Sequence, residues 1–150
     1  MYKIKQITED FIVNEINNLV IDNKGQYSYF LLNKRNYNTL RAIQMIAQKA
    51  GINGKNIGFA GNKDKNAVTE QIISIRKIDN KKIEIIENIK IKDINIVHTG
   101  NGNNGISLGS HQGNEFFITI RNLNDSGIKK IKALNSKKIL MPNYFGQQRF

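Results

Sequence analysis

Apolar and polar positions change their period several times along the chain, and each change marks an expected element. Tyr2, Ile4 and Gln6 alternate with Lys3 and Lys5, and Phe11-Ile12-Val13 is a short apolar run. Tyr27, Tyr29 and Leu31 alternate again, so the first thirty or so residues read as extended structure. The period then lengthens. Asn38 can cap a helix in which Leu40, Ile43, Ile46, Ala47 and Ala50 share one face, and Gly51 sits where a left-handed residue ends such a helix. Ile57 to Ala60 is a brief apolar stretch before a polar loop, Gly61 to Asn66, and Gln71 to Arg76 reads as a strand. Extended segments are expected around Ile83 to Ile86, Ile89 to Val97 and Phe116 to Arg121. A second helix is expected from Asp125 or Ser126 to Lys138, with Ile128, Ile131 and Leu134 inward. Strands with two interspersed helices predict an α+β domain, a mixed or antiparallel sheet with flanking helices. Two stretches read as loops: the glycine- and asparagine-rich Gly100 to Gly105, and the aromatic, amide-rich end, Pro142 to Phe150.

Composition narrows the function classes. The chain has 150 residues, no Cys and two His, which excludes a disulfide scaffold and thiolate zinc sites. There is no apolar run of membrane-spanning length and no basic-then-apolar leader, so the expectation is a cytoplasmic protein without a membrane partner. The formal net charge of +11 points to a polyanion, most simply nucleic acid. Much of that charge has a blander origin. There are 26 Ile, 22 Asn and 18 Lys but only 5 Arg, the skew expected of an AT-rich coding sequence. Lys129, Lys130, Lys132, Lys137 and Lys138 could track an RNA backbone or simply form a solvated helix face.

Two nucleotide-binding patterns fail on context. Gly100, Gly102 and Gly105 have the spacing G-x-G-x-x-G, but Ile106-Ser107-Leu108-Gly109 does not open a helix on which a pyrophosphate could sit. Asn62-Lys63-Asp64-Lys65 approaches a guanine-binding N-K-x-D, but the Asp falls one place early and no phosphate loop exists. Asp64 itself remains: one carboxylate in a loop between apolar strands, flanked by Lys63 and Lys65. Nearby cations favour its ionised form, which suits a nucleophile or base; a solvated turn aspartate has the same local sequence.

The wider stretch Gly58 to Gln71 resembles the catalytic motif G-x-A-G-x-K-D-x-x-A-V-T-x-Q of the TruD family of tRNA pseudouridine synthases. Thr8-Glu9-Asp10-Phe11-Ile12-Val13-Asn14-Glu15 resembles the family's P-E-D-F-x-V-x-E, with Thr8 in place of the usual Pro. Leu108 to Ile118 is similar to L-G-x-x-x-G-N-x-F-x-I, and Pro142 to Phe150 to P-N-Y-F-G-x-Q-R-F. All four occur in the family's order.

The resemblance implies part of a pseudouridine synthase catalytic domain, acting on tRNA, without metal or redox cofactor, at the family's usual target, uridine 13. Asp64 would be the catalytic aspartate, and Lys63 an electrostatic neighbour. Phe11, Asn114 and Phe116 would lie on the substrate side: Phe11 stacking on a flipped base, Phe116 packing beside it, and Asn114 hydrogen-bonding either the uracil edge or the loop that holds Asp64. By residue type alone, Phe11 and Phe116 would ordinarily be sheet-core residues, and Asn114 a turn residue after Gly113. Gln148 and Arg149 would contact phosphate or brace the site. Family members continue past the Q-R-F motif with an inserted domain and a second catalytic half, both absent from this chain. Residues 1–150 are therefore expected to be an N-terminal part, with a second chain as one possible source of the remainder. Acting alone they are expected to bind RNA weakly and to turn over slowly or not at all. The alternatives are a non-catalytic RNA-binding fragment or one half of a split synthase.

Overall fold

The structure is a computed structural model and describes residues 1–22, 24–76 and 78–134. The described residues form two compact units, one within Ile4–Thr119 and a smaller one comprising Met1–Lys3 with 120–134.

The larger unit is built on a six-stranded mixed sheet. Its strands are β2 (Phe11–Ile16), β3 (Tyr27–Arg35), β4 (Ile57–Phe59), β5 (Val68–Arg76), β6 (Ile94–Gly102) and β7 (Gly113–Ile118). Along the sheet the order is β6-β3-β5-β2-β7. The pairs are antiparallel except β2 with β5, which run parallel. One edge of β5 is shared by two strands: its start pairs with β2 (Ile12 opposite Val68), and its end pairs with β4 (Phe59 opposite Ile73). The chain leaving β4 must cross that seam to re-enter the sheet as β5.

Strand alternation separates two cores. Phe30 and Leu32 of β3, Ile73 and Ile75 of β5 and Ile94 and Ile96 of β6 face helices α1 (Thr39–Ala50) and α2 (Asn80–Glu87). Ile43 and Ile46 of α1 and Ile83 and Ile86 of α2 fill that layer, each buried side chain contributing about 1.5–3 kcal/mol. On the opposite face Tyr29 and Ile72 pack with Ala60 and Ile106. The α1 boundaries follow the expected caps. The Asn38 side chain accepts from the Arg41 N–H at 2.7 Å, and Gly51 is left-handed at φ 63°.

Several local expectations change. Leu40 is exposed, and Thr39 and Ala42 take the inner positions at the start of α1. Ile83 to Ile86 is helical rather than extended. Asp79 caps α2 through the Lys82 N–H at 2.8 Å, and the three-residue spacing of Ile83 and Ile86 puts both inside. The strand expected from Ile89 begins only at Ile94, after a tight turn in which Asp93 has φ 60°. Gly100 to Gly102 continue β6 instead of opening a loop. A Cβ on Gly102 would stand 2.3 Å from the Tyr29 hydroxyl, so the glycine is where the tyrosine lies flat against the strand.

A two-stranded ribbon joins β1 (Lys3–Ile4) and β8 (Ile120–Arg121), and in the smaller unit α3 spans Asp125–Leu134. Ile128, Ile131 and Leu134, expected to face inward, are 37–50% exposed. The rest of the expected second helix and the Pro142 to Phe150 motif, including Gln148 and Arg149, lie outside the described residues. Among the described residues, no helix is long and apolar enough to cross a membrane.

Candidate active site

The β2–β7 pairing sets out one wall of the site. Its register puts Glu15 opposite Asn114, Val13 opposite Phe116 and Phe11 opposite Ile118. Alternation then places Phe11, Val13, Glu15, Asn114 and Phe116 on one face. The Phe11 and Phe116 rings stack, with centroids 5.9 Å apart and planes at 26°. Phe11 is buried, whereas Phe116 is 55% exposed and open on its outer side.

Loop 60–67, at the seam of β5, forms the opposite wall. Its two central side chains diverge. Lys63 points inward, where its ammonium lies 2.5 Å from Asn114 Oδ1 and 2.8 Å from a Glu15 carboxylate oxygen. Glu15 is itself buried, so this cation and this anion compensate one another out of water. Asp64 points outward, with its side chain 54% exposed. The cation nearest its carboxylate is therefore not Lys63, as expected from adjacency, but Lys5, whose Nζ is 3.5 Å from Oδ2. The same ammonium lies 3.7 Å above the Phe11 ring, a cation–π contact. Lys5 is brought there by a tight turn in which the buried Asp10 carboxylate accepts the N–H groups of Gln6 and Ile7 at 3.0 and 3.3 Å.

The loop backbone is fixed by polar groups at the end of the helix-facing core. The Lys63 N–H donates to the Thr39 hydroxyl at 2.9 Å, that hydroxyl donates to Gln71 Oε1 at 2.8 Å, and the Gln71 amide donates to the Gly61 carbonyl at 3.1 Å. Lys34 reaches in from β3. Its ammonium donates to the carbonyls of Tyr37, Lys63 and Asp64 at 2.5, 3.4 and 3.1 Å. Burial pulls the Lys34 ammonium down to about 8, against a smaller upward pull from the Asp64 carboxylate and a downward push from the Lys63 charge.

Between the walls lies a cleft of about 180 Å³, lined by Phe11, Lys63, Asp64, His111, Asn114 and Phe116 among others. Five residues singled out in the sequence thus meet in one place. A second cleft, of about 520 Å³, borders the same loop and carries Arg41, Lys65 and Lys92. None of those three is in an ion pair among the described residues. No group of three or more metal-ligating side chains gathers among the described residues.

Sequence reasoning missed Lys5, Glu15, Lys34, Thr39, Gln71 and His111. Lys34 had a signal: it shares its alternation with Ser28, Phe30 and Leu32 and so had to point into the sheet's covered face. Glu15, Gln71 and His111 lie inside quoted motifs without having been given roles. Nothing in the local pattern marks Thr39 or Lys5.

The family model described as tRNA pseudouridine synthase D (TruD) matches residues 2–150. The tRNA pseudouridine synthase D of Aquifex aeolicus is 38% identical over 150 residues, covering 99% of this chain and 39% of that protein. The protein of the same name from Sulfurimonas denitrificans is 37% identical over 151 residues, covering 99% and 42%. A crystal structure of a protein described as tRNA pseudouridine synthase D (TruD), from Methanosarcina mazei, superposes with a TM-score of 0.78 at 36% identity. It covers 89% of this chain and 30% of that one. The chain thus spans less than half the length of these relatives. A family match along nearly the whole chain and a fold shared at 36% identity agree with the four sequence motifs, and the chain belongs to the TruD family.

Proposed function

We propose that residues 1–150 are the N-terminal part of the catalytic domain of a tRNA pseudouridine synthase, with Asp64 as its catalytic residue. The inserted domain and second catalytic half are supplied by further sequence or by a second chain. The observation that carries this reading is the convergence of Asp64, Phe11, Asn114 and Phe116 on one cleft from three separated segments. The reaction breaks the N1–C1′ bond of a uridine, turns the uracil and rejoins it to C1′ through C5. The C5 proton leaves and N1 gains one, so nothing is consumed and no cofactor is called for.

Each side chain has a part in that chemistry. The exposed Asp64 carboxylate acts either by attacking the nucleotide covalently or by removing a sugar proton to give a glycal. Lys5 pairs with it and leaves its outer edge open to the ribose. Phe116, stacked on Phe11, offers a free ring face to an extruded base, worth about 1–3 kcal/mol. Asn114 Oδ1 is engaged by Lys63, which orients its amide N–H donors for a uracil carbonyl. Gln148 and Arg149 keep the proposed supporting role, on phosphate or on the loop. The cations of the neighbouring cleft suit an RNA backbone, and uridine 13 of tRNA is the proposed target.

The test is chemical mapping of pseudouridine in an unmodified tRNA transcript, with wild type and Asp64→Asn, each with the remaining catalytic half present. Wild type is expected to modify one uridine and the variant none, with its melting temperature retained because Asp64 is half exposed. Equal product from both would overturn the role of Asp64. Binding of the transcript without product from either would instead leave an RNA-binding protein that does not catalyse.

A further inference from the structure

We propose that Lys34 is a positioning residue for Asp64, an ammonium clamp that fixes the backbone of the catalytic loop through three carbonyls at once. The proposal rests on the assignment of Asp64 above and concerns what holds it.

Lys34 has 2% of its surface exposed, on a strand paired on both sides. A lysine is rarely so deeply buried, and its charge is stabilised there only if enough acceptors surround it. The three acceptors found are all backbone carbonyls, and they come from both sides of the site: Tyr37 just ahead of α1, Lys63 and Asp64 on the loop. An ammonium has three N–H donors and no acceptor, which matches three carbonyls. The neutral amine keeps two donors and cannot serve all three. Two of the clamped carbonyls belong to Asp64 and to the residue before it. The clamp therefore sets the φ and ψ from which the Asp64 side chain departs, while leaving the carboxylate free in the cleft. Thr39 of α1 and Gln71 of β5 separately hold positions 63 and 61 of the loop.

The surroundings make this clamp responsive to pH. The charged groups bearing on Lys34 are both on the loop: the Asp64 carboxylate favours its protonated form and the Lys63 ammonium opposes it. The strands packed beside it place only Thr69 of β5 and Ile94 of β6 opposite, and α1 begins with Thr39. Burial draws its titration down to about 8, so the ammonium is lost on the alkaline side of neutrality. Above that point the loop loses one of its three ties.

The test uses Lys34→Met, which keeps an unbranched side chain of similar length without donors. Amide hydrogen exchange, compared with wild type at one pH, reads the loop directly. The expected result is exchange accelerated about tenfold or more in residues 61–66, with α1 and β5 unchanged. In turnover on unmodified tRNA, with the remaining catalytic half present, kcat is expected to fall about 100-fold with KM nearly unchanged, the cost of misplacing a reacting group by about 1 Å. The wild-type kcat is expected to decline above about pH 8. The variant, whose residual rate no longer depends on Lys34, is expected to lose that limb. Wild-type exchange in the loop, or acceleration spread equally over α1 and β5, would overturn the clamp; so would an unchanged pH profile. A wild type that makes no pseudouridine would sink the proposed function, and the exchange result would still decide the clamp.

Discussion

Lys63 and Glu15 form the most consequential pair at the level of single residues, because neither has an alternative in water. Their side chains are 5% and 1% exposed. Removing one partner of such a pair leaves the other charge buried and uncompensated, which costs about 3–5 kcal/mol. Lys63→Met is expected to lose stability of that order in urea denaturation. The double variant with Glu15→Leu is expected to recover most of it, because an apolar pair of similar volume carries no desolvation penalty. Full recovery of pseudouridine formation is not expected, since Asn114 would lose the cation that orients it. The sequence made Lys63 and Asp64 look like partners because they are adjacent. Adjacent residues in an extended loop point to opposite sides, and which side each takes depends on where β2 and β7 lie. That is why the Lys63–Glu15 and Lys5–Asp64 pairings could not be read from the loop alone.

Among the elements, the ends of α1 were legible, though Leu40 was wrongly placed inward, and β6 was not, and the reasons differ. Caps are local: Asn38 and Gly51 mark their ends by their own side-chain chemistry and backbone freedom. The glycines of β6 look like a loop by composition, and what makes them a strand is pairing with β3, far away in sequence, where Gly102 leaves room for the ring of Tyr29. The α2 helix was misread because Ile83, Ile85 and Ile86 satisfy a two-residue period as well as a helical one in so short a run. The Tyr29–Gly102 contact also yields a prediction. A Cβ at residue 102 would meet the ring within 2.3–2.6 Å and push the hydroxyl away from the Asn104 carbonyl, to which it donates at 2.7 Å. Gly102→Ala is expected to destabilise by about 1–3 kcal/mol. Thermal denaturation measures that loss. An unchanged melting temperature would mean that the strand shifts freely.

At the scale of the molecule, charge and topology have separate consequences. Lys34 gives a signed pH dependence. Its native value is drawn from 10.5 down to about 8, so between those limits the unfolded chain holds a proton that the folded one has released. Stability from this group therefore rises with pH across that window. Urea midpoints from pH 7.5 to 10 are expected to show wild type gaining on Lys34→Met, even as the clamp on the loop weakens. A flat difference would mean that Lys34 does not titrate there. Arg41, Lys65 and Lys92, in no ion pair among the described residues, are the cations that the proposed RNA binding would use. Replacing all three with Ala is expected to weaken tRNA affinity and flatten its salt dependence. Each lost phosphate contact reduces the slope of log K against log salt by roughly 0.7–0.9. Binding titrations at several salt concentrations read that slope. The seam in β5 has a consequence in time. The wall of the cleft facing Asp64 is complete only when β2, from the start of the chain, has docked in parallel beside β5 and β7 has docked beside β2, non-local pairings that must close long stretches of chain first. Helix α1 can form early, from neighbours in sequence, while the cleft beside Asp64 waits for these long-range pairings. During refolding, the recovery of modifying activity should therefore trail the recovery of helical signal, so that activity keeps time for the last strand rather than the first helix.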